Sequence, residues 1–140
     1  MQYNVGIIRT KNEIVDGISK IDKMKDEFKE VKAAGSSQFN PGWHEALALR
    51  NLLISSEAVA KSALLREESR GAHTREDFPD ENKNWLEYNI INRKGKDGKM
   101  ETIKEKRGNA DPELKRIANA SIEELEIEVK IDHEKIMPKV

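Results

Sequence analysis

The chain has 140 residues, of which 36% are charged and 36% are hydrophobic, and its formal net charge is −1. It contains no cysteine, which excludes disulfides, thiolate metal sites and cysteine-ligated iron–sulfur clusters. A near-neutral charge provides no general attraction to nucleic acid, and no apolar run approaches the roughly 18 residues of a transmembrane helix. The length predicts a single domain with a modest core.

The first long element is a predicted helix that begins after Thr10 and continues to about Lys32. Residues 1–9 are mostly apolar and predict a short helix or a lead-in segment. Thr10 and Glu13 have the spacing of a capping box. Apolar residues then recur at helical spacing opposite a face rich in lysine and glutamate, as in a bundle helix. A coiled-coil partner on another chain is an alternative, but we favour packing within this chain. The apolar positions are Ile14, Gly17, Ile18, Ile21, Met24, Phe28 and Val31.

A second helix is predicted from its cap Asn40 and its first residue Pro41 to about Ser69. Its apolar residues leave only a narrow polar strip, so we expect it to be buried on most sides. A chain of this length offers few partners for such a helix, which suggests that the chain is a piece of a larger protein. Small residues at seven-residue spacing suit the close approach of another backbone, namely Ala48, Ser55, Ser62 and Ser69.

A β-hairpin is predicted from Trp85–Arg93 and Met100–Lys106, with Asp97 and Gly98 at the centre of its turn. An isolated hairpin is marginally stable in water, so this one should lie on the helices or on a partner. The arm is basic but shows no exposed aromatic platform, so we do not expect it to bind nucleic acid.

The C-terminal part begins with a third predicted helix, capped by Asp111 and running from Pro112 to about Asn119. Ser121 starts a second capping box. Strict alternation of apolar and charged residues then favours a strand over Leu125–Ile131.

Together these elements predict a mainly α fold. We expect a three-helix bundle, similar to a spectrin repeat, with a peripheral β-hairpin and a C-terminal helix/strand extension. The bundle with its charged loop occupies residues 1–84, the hairpin arm 85–107 and the extension 108–140, all within one domain.

The segment that follows the second helix is dense in charged side chains. Gly71 is predicted to stop the helix because glycine tolerates a left-handed backbone, and Pro79 keeps the next segment out of a helix. Three interpretations are open from the residues alone: a charge network at a helix end, an anion or partner docking site built on arginine forks, and a catalytic site. No nucleophile lies within motif spacing of the histidine, which disfavours catalysis. The six candidate residues are Arg66, Glu68, Arg70, His73, Arg75 and Asp77.

At these residues the sequence also resembles a known family. Glu68–Pro79, followed by Trp85 and Leu86, closely resembles the C-terminal helical domain of succinate dehydrogenase and fumarate reductase flavoprotein subunits. The pattern ESRGAH-x-R-x-D-[FY]-P, then N-W-L, is long and specific. Weaker matches lie at Val5–Arg9 and within the second helix, and the tail after Gly108 departs from the family.

The resemblance implies a parent protein whose separate, larger region binds FAD and interconverts succinate and fumarate. This chain would be the helical domain after that region, packed against the flavin-binding and capping domains and beside an iron–sulfur subunit. The parent would be cytoplasmic and peripheral on the inner face of the cell membrane, without direct membrane insertion. The chain itself would then have no catalytic, cofactor-binding or metal-binding residues and would be inactive alone. Its six charged candidates would serve interdomain docking.

Two alternatives remain beside this interpretation. The chain could be the same domain of a related flavoprotein, L-aspartate oxidase or adenylylsulfate reductase, or a free-standing helical interaction module. A fragment would expose its small-residue line or cover it by self-association, whereas a free-standing module would have no large exposed apolar face.

Overall fold

The computed structural model describes residues 1–125. As predicted, the fold is mainly helical with a β-hairpin. Within the predicted strand Leu125–Ile131, only Leu125 is described, and it lies in a helical turn. The contacts divide the chain into two compact units, Met1–Arg107 and Gly108–Val140. The elements are β1 Ile8–Arg9, α1 Lys11–Phe28, α2 Pro41–Leu65, β2 Thr74–Arg75, a 3-10 helix Lys83–Glu87, β3 Tyr88–Lys94, β4 Met100–Lys106 and α3 Pro112–Asn119.

Helix α1 begins at the predicted capping box. Thr10 Oγ1 accepts from the Glu13 backbone N–H at 3.3 Å, and Glu13 Oε2 accepts from the Thr10 backbone N–H at 2.7 Å. The helix ends at Phe28, four residues before the predicted Lys32. Beyond Phe28 the apolar stripe has lost its packing, since Val31 is 47% exposed. Little burial is therefore left to offset the entropy of extending the helix.

The core of the first unit lies between α1 and α2. Ile14 and Ile21 pack with Ala60 and Ala63, and Val5 from the N-terminal segment completes the cluster. These contacts confirm that α1 packs within the chain. Of the two alternatives for residues 1–9, the structure shows the lead-in segment and not a helix: these residues form a turn that leads into β1.

Helix α2 starts as predicted, with Asn40 Oδ1 accepting from the Trp43 backbone N–H at 3.3 Å. It ends at Leu65, and the backbone of Arg66 is already extended. The prediction that Gly71 stops this helix was wrong. Gly71 does have a positive φ of 57°, but it uses this conformation in a separate turn beyond the helix.

Within the described chain, α2 is less buried than its composition predicts. Leu52 is 62% exposed and Val59 is 50% exposed. Ala48 and Ser55, on the same side of the helix, are exposed as well. Ser62 lies under the hairpin, where its Oγ accepts from Asn92 Nδ2 at 2.8 Å. An apolar face of α2 is therefore left without a partner in this part of the chain.

The hairpin pairs β3 and β4 antiparallel, from Tyr88 opposite Lys106 to Lys94 opposite Met100. The predicted hairpin is confirmed, except that its first strand starts at Tyr88. Trp85 lies in the preceding 3-10 helix, where it is only 6% exposed.

The hairpin lies on α2, as its marginal stability in isolation requires. Lys61 Nζ donates to the Met100 carbonyl at 3.0 Å. The same ammonium pairs with the buried Glu57 at 2.8 Å, and Lys25 contacts Glu57 from α1. These charges therefore join α1, α2 and the hairpin.

The second unit contains α3, with the predicted bounds and with Asp111 as its cap. The predicted capping box at Ser121 is also formed: Ser121 Oγ accepts from the Glu124 backbone N–H at 3.2 Å, and Glu124 Oε2 accepts from the Ser121 backbone N–H at 2.9 Å. Of the helices in residues 1–125, none is long and apolar enough to cross a membrane.

Candidate docking site in the loop after α2

The loop after α2 is folded around a tight turn and a serine. Arg70 and His73 exchange two backbone hydrogen bonds, of 2.8 and 3.1 Å, across Gly71 and Ala72. A positive φ at Gly71, the first central residue, is the pattern of a type II′ turn. Ser69 Oγ accepts from the Arg75 backbone N–H at 2.8 Å and lies 2.8 Å from the Phe78 carbonyl, to which it donates. The backbone of the loop is thus fixed by its own sequence.

The N-terminal segment is attached to this loop by a parallel pairing of β1 with β2. The Thr74 N–H donates to the Ile7 carbonyl at 3.2 Å, and the Glu76 N–H donates to the Arg9 carbonyl at 3.1 Å. Sequence reasoning did not find this pairing. Two-residue strands more than sixty residues apart in the chain leave no periodic signal.

Glu68 is the buried centre of the first ion cluster, and its side chain is fully buried. Its Oε1 accepts from Arg66 Nε at 2.8 Å and Nη2 at 2.6 Å. Its Oε2 accepts from Arg70 Nη2 at 3.1 Å and from the Asn82 backbone N–H at 2.9 Å. Burial alone would raise the pKa of Glu68, but the hydrogen bonds from Arg70, Asn82 and Arg66 outweigh it and lower the pKa from 4.5 to about 2.

Arg75 is the buried centre of the second cluster and is 1% exposed. It forms a bidentate pair with Asp77, with Nε at 2.7 Å and Nη2 at 2.6 Å from the two carboxylate oxygens. Its Nη1 donates to the carbonyls of Ala63 at 2.9 Å and of Leu64 and Arg66 at 3.2 Å. The guanidinium thereby caps the C-terminus of α2, where unpaired carbonyls favour a cation. This cap explains why the helix stops before Arg66.

Asp77 connects the loop to the start of α1. Its Oδ2 accepts from the backbone N–H of Lys11, the first residue of that helix, at 3.2 Å. The hydrogen bonds from Arg75 lower the pKa of Asp77 from 3.8 to about 2. The loop therefore holds the end of α2 and the beginning of α1 together through one ion pair.

His73 is held as a neutral imidazole by its two neighbours. Arg9 Nη2 lies 2.7 Å from His73 Nδ1, and because arginine can only donate, Nδ1 must be the acceptor. The proton is therefore on Nε2, which donates to the Arg66 carbonyl at 3.2 Å. Burial and the positive charges of Arg9, Arg66 and Arg75 lower the pKa of His73, although its bond to the Arg66 carbonyl opposes them.

The structure thus brings all six predicted residues into one loop, and it shows the charge network that was one of the three interpretations. Glu68 and Arg75 are buried by this chain, whereas the side chains of Arg66 and Arg70 are 33% and 26% exposed. Within residues 1–125, the ring nitrogens of His73 bond to Arg9 and to the Arg66 carbonyl, and no group of three or more acidic or histidine side chains could hold a metal ion.

Two residues of the site were not selected from the sequence. Arg9 was included only in the weak family match at Val5–Arg9, and that match was the only signal for it. Ser69 was assigned to the helical small-residue line, whereas it lies outside the helix and organises the loop. Whether the six charged residues dock another domain is not tested by this geometry, so that role stays a prediction.

Comparison with known proteins gives a family match over most of the chain. The family described as fumarate reductase flavoprotein C-term matches residues 1–135. This match extends well beyond Gly108, so the expectation that the tail departs from the family was wrong.

Individual relatives agree. The chain is 38% identical over 94 residues to one of the subunits of the fumarate reductase (CoM/CoB) of Methanothermobacter marburgensis, covering 67% of this chain and 17% of the relative. It is 37% identical over 92 residues to the succinate dehydrogenase flavoprotein subunit of Rickettsia bellii, covering 64% of this chain and 15% of the relative.

The fold agrees as well. A solved structure of the Mycobacterium smegmatis Sdh1 complex in the apo form superposes with a TM-score of 0.70 at 39% identity, over 80% of this chain and 19% of that one. The chain thus spans less than a fifth of the length of these proteins. It belongs to the family of C-terminal domains of fumarate reductase and succinate dehydrogenase flavoprotein subunits.

Proposed function

We propose that this chain is the docking domain of an FAD-dependent succinate dehydrogenase or fumarate reductase, and that the whole protein interconverts succinate and fumarate. The family match over residues 1–135 carries this proposal. Relatives named as fumarate reductase and as succinate dehydrogenase both support it, one for each of the two activities. The chain itself contributes structure rather than chemistry.

FAD belongs to the flavin-binding region of such a protein, and the described residues do not fit a dinucleotide site. The glycines with positive φ, Gly35, Gly71 and Gly98, lie in separate turns and form no phosphate-binding loop. Most guanidinium groups of the charged loop are already committed to carboxylates of the same loop. We therefore assign no step of the reaction to this chain.

The docking surface has a polar and an apolar part. Arg66 and Arg70 keep part of their side chains exposed while Glu68 fixes their orientation. On α2, Leu49, Leu52 and Val59 are 41%, 62% and 50% exposed and share one side of the helix. Exposed apolar side chains grouped in this way are typical of a surface that another body covers.

We assign this surface to contact with the flavin-binding and capping domains, and we expect a further contact with an iron–sulfur subunit. The structural similarity to an Sdh1 complex supports such an assembly. In this arrangement the whole protein would be peripheral on the inner face of the cell membrane.

The docking role is tested by Arg70→Ala in the intact flavoprotein, with Arg93→Ala on the hairpin as the matched control. Because Arg70 also pairs with Glu68 within the chain, the same variants are made in the isolated chain. We expect Arg70→Ala to lower the melting temperature and the flavin content of the intact protein. The loss of melting temperature should be larger in the intact protein than in the isolated chain. Equal losses in both would contradict docking, and a flavin spectrum in the purified isolated chain would contradict the absence of a cofactor site.

A further inference from the structure

Arg9, on β1, is a buried guanidinium that holds no carboxylate in the described part of the chain. It is 8% exposed, and its Nε is buried without a hydrogen-bond partner among residues 1–125. Nη2 donates to His73 Nδ1 at 2.7 Å. Nη1 has no partner in this part of the chain either, but it is not cut off from solvent. A buried charge without a counter-charge is far more costly than a paired one.

The neighbouring guanidinium groups show what Arg9 lacks. Arg66 and Arg70 share Glu68, Arg70 also pairs with Glu81, and Arg75 pairs with Asp77. These three carboxylates face four guanidinium groups when Arg9 is included. Burial and the adjacent charge of Arg75 both lower the pKa of the Arg9 guanidinium. His73 cannot balance the charge, because it is neutral when it accepts from Arg9. Within residues 1–125, each of the other three guanidinium groups therefore has a carboxylate partner, and the positive charge of Arg9 has none.

We propose that Arg9, oriented by its hydrogen bond to His73, forms a binding site for one carboxylate, supplied by an aspartate or glutamate side chain of the flavin-bearing body. One oxygen accepts from Arg9 Nη1, the donor that is open to solvent. The binding chemistry rests on Arg9, which His73 holds in position, whereas the source of the carboxylate rests on the proposed docking function.

A side chain is the favoured source because of where the site lies and how much protein lies outside it. Arg9 and His73 belong to the same loop assembly as Arg66 and Arg70, which we assign to docking. The chain covers 17% and 15% of the two relatives described above, so most of such a protein is available to present a carboxylate here. Arginine held in a fixed orientation is well suited to receive one.

The site is tested by NMR on the whole 140-residue chain, with acetate as the probe. Acetate is titrated to about 200 mM against chloride at constant ionic strength, a range that covers millimolar affinities. We expect saturable shifts of the Arg9 Nε–H and His73 ring signals. Bound acetate should also raise the pKa of His73, because a nearby negative charge favours imidazolium. Arg9→Gln should weaken binding at least about tenfold, and Arg93→Gln should leave it unchanged.

Several results would overturn the proposal. The site is refuted by a non-saturable response, by an equal response to chloride, or by an unchanged response in Arg9→Gln. If Arg9→Gln does not fold, Arg9→Lys takes its place, since lysine keeps the charge but loses the fork and should bind more weakly. Equal affinity for acetate and succinate supports a side-chain source, and a preference for succinate of about tenfold would refute that source. All of these measurements use the chain alone, so they can fail or succeed independently of the docking test with Arg70→Ala.

Discussion

Replacing Glu68 by glutamine should destabilise the chain by about 3 kcal/mol. Glu68→Gln keeps the size of the side chain but removes the charge that Arg66 and Arg70 share, and it turns one acceptor into an NH2 group facing N–H donors. The network lowers the pKa of the Glu68 carboxyl from 4.5 to about 2. This shift corresponds to a stabilisation of the ionised form by about 3 kcal/mol. Breaking a buried ion pair costs about 3–5 kcal/mol, and partial exposure of both arginines places this case at the lower end.

Urea unfolding followed by circular dichroism measures this loss. With a slope of about 1.5 kcal/mol per molar urea, the midpoint should fall by about 2 M. Glu67→Gln is the matched control, because Glu67 is the adjacent residue and its side chain is exposed. That variant should change the free energy of unfolding by less than about 0.5 kcal/mol. If the two variants lose similar stability near pH 7, the network around Glu68 does not stabilise the fold and the reasoning is refuted.

Four further predictions concern the stability of the first unit. Asp77→Asn should cost about 3 kcal/mol, because the buried Arg75 loses its carboxylate, whereas Glu76→Gln, at an exposed neighbouring position, should be nearly neutral in urea unfolding. Gly17→Ala should lower the melting temperature, since its Cβ would lie 2.9 Å from Val5 Cγ2 and overpacking costs about 1–3 kcal/mol, while Gly108→Ala meets nothing within 4 Å and should not. Stability should fall as the pH drops below about 4.5, because the folded pKa values of Glu68 and Asp77 are both about 2 and lie below their unfolded values. Urea midpoints measured against pH follow this loss, and the loss should be smaller in Glu68→Gln. His73 adds a smaller loss that begins as the pH falls below about 6.5, since its folded pKa is lowered, and an unchanged midpoint between pH 7 and 5 in the wild type would contradict it.

The elements that could be predicted from sequence are those set by neighbouring residues. The capping boxes at Thr10 and Ser121 need only side chains three residues apart. The hairpin turn needs a glycine with positive φ, and Gly98 has a φ of 79° there. For these features the local sequence decides the structure, so the helix starts and the turn were found where they were expected.

The C-terminal ends of α1 and α2 depend on contacts with other parts of the chain and could not be predicted in the same way. At the end of helix α2, the guanidinium of Arg75 donates to carbonyls of the last turn. Arg75 is twelve residues beyond Ala63, whose carbonyl is one of these acceptors. Gly71 appeared to be the stop because its backbone preference is local, whereas the guanidinium that caps the helix is not. The pairing of the charges had the same difficulty. Arg9 and His73 are 64 residues apart, and composition alone does not show which of several carboxylates each arginine holds.

The loop after α2 makes hydrogen bonds within the first unit and also exposes part of its arginine side chains. Substitutions in this loop should therefore affect both the stability of the fold and the proposed docking. Arg75 holds the end of α2, Asp77 holds the start of α1, and His73 holds the N-terminal strand through Arg9. The loop can therefore present Arg66 and Arg70 in fixed positions only while the first unit is folded. Removing the charge of a buried residue of the loop therefore destabilises the fold, and it weakens docking as a consequence. Docking is consequently established by a loss in the intact flavoprotein that exceeds the loss in the isolated chain, and not by either measurement alone.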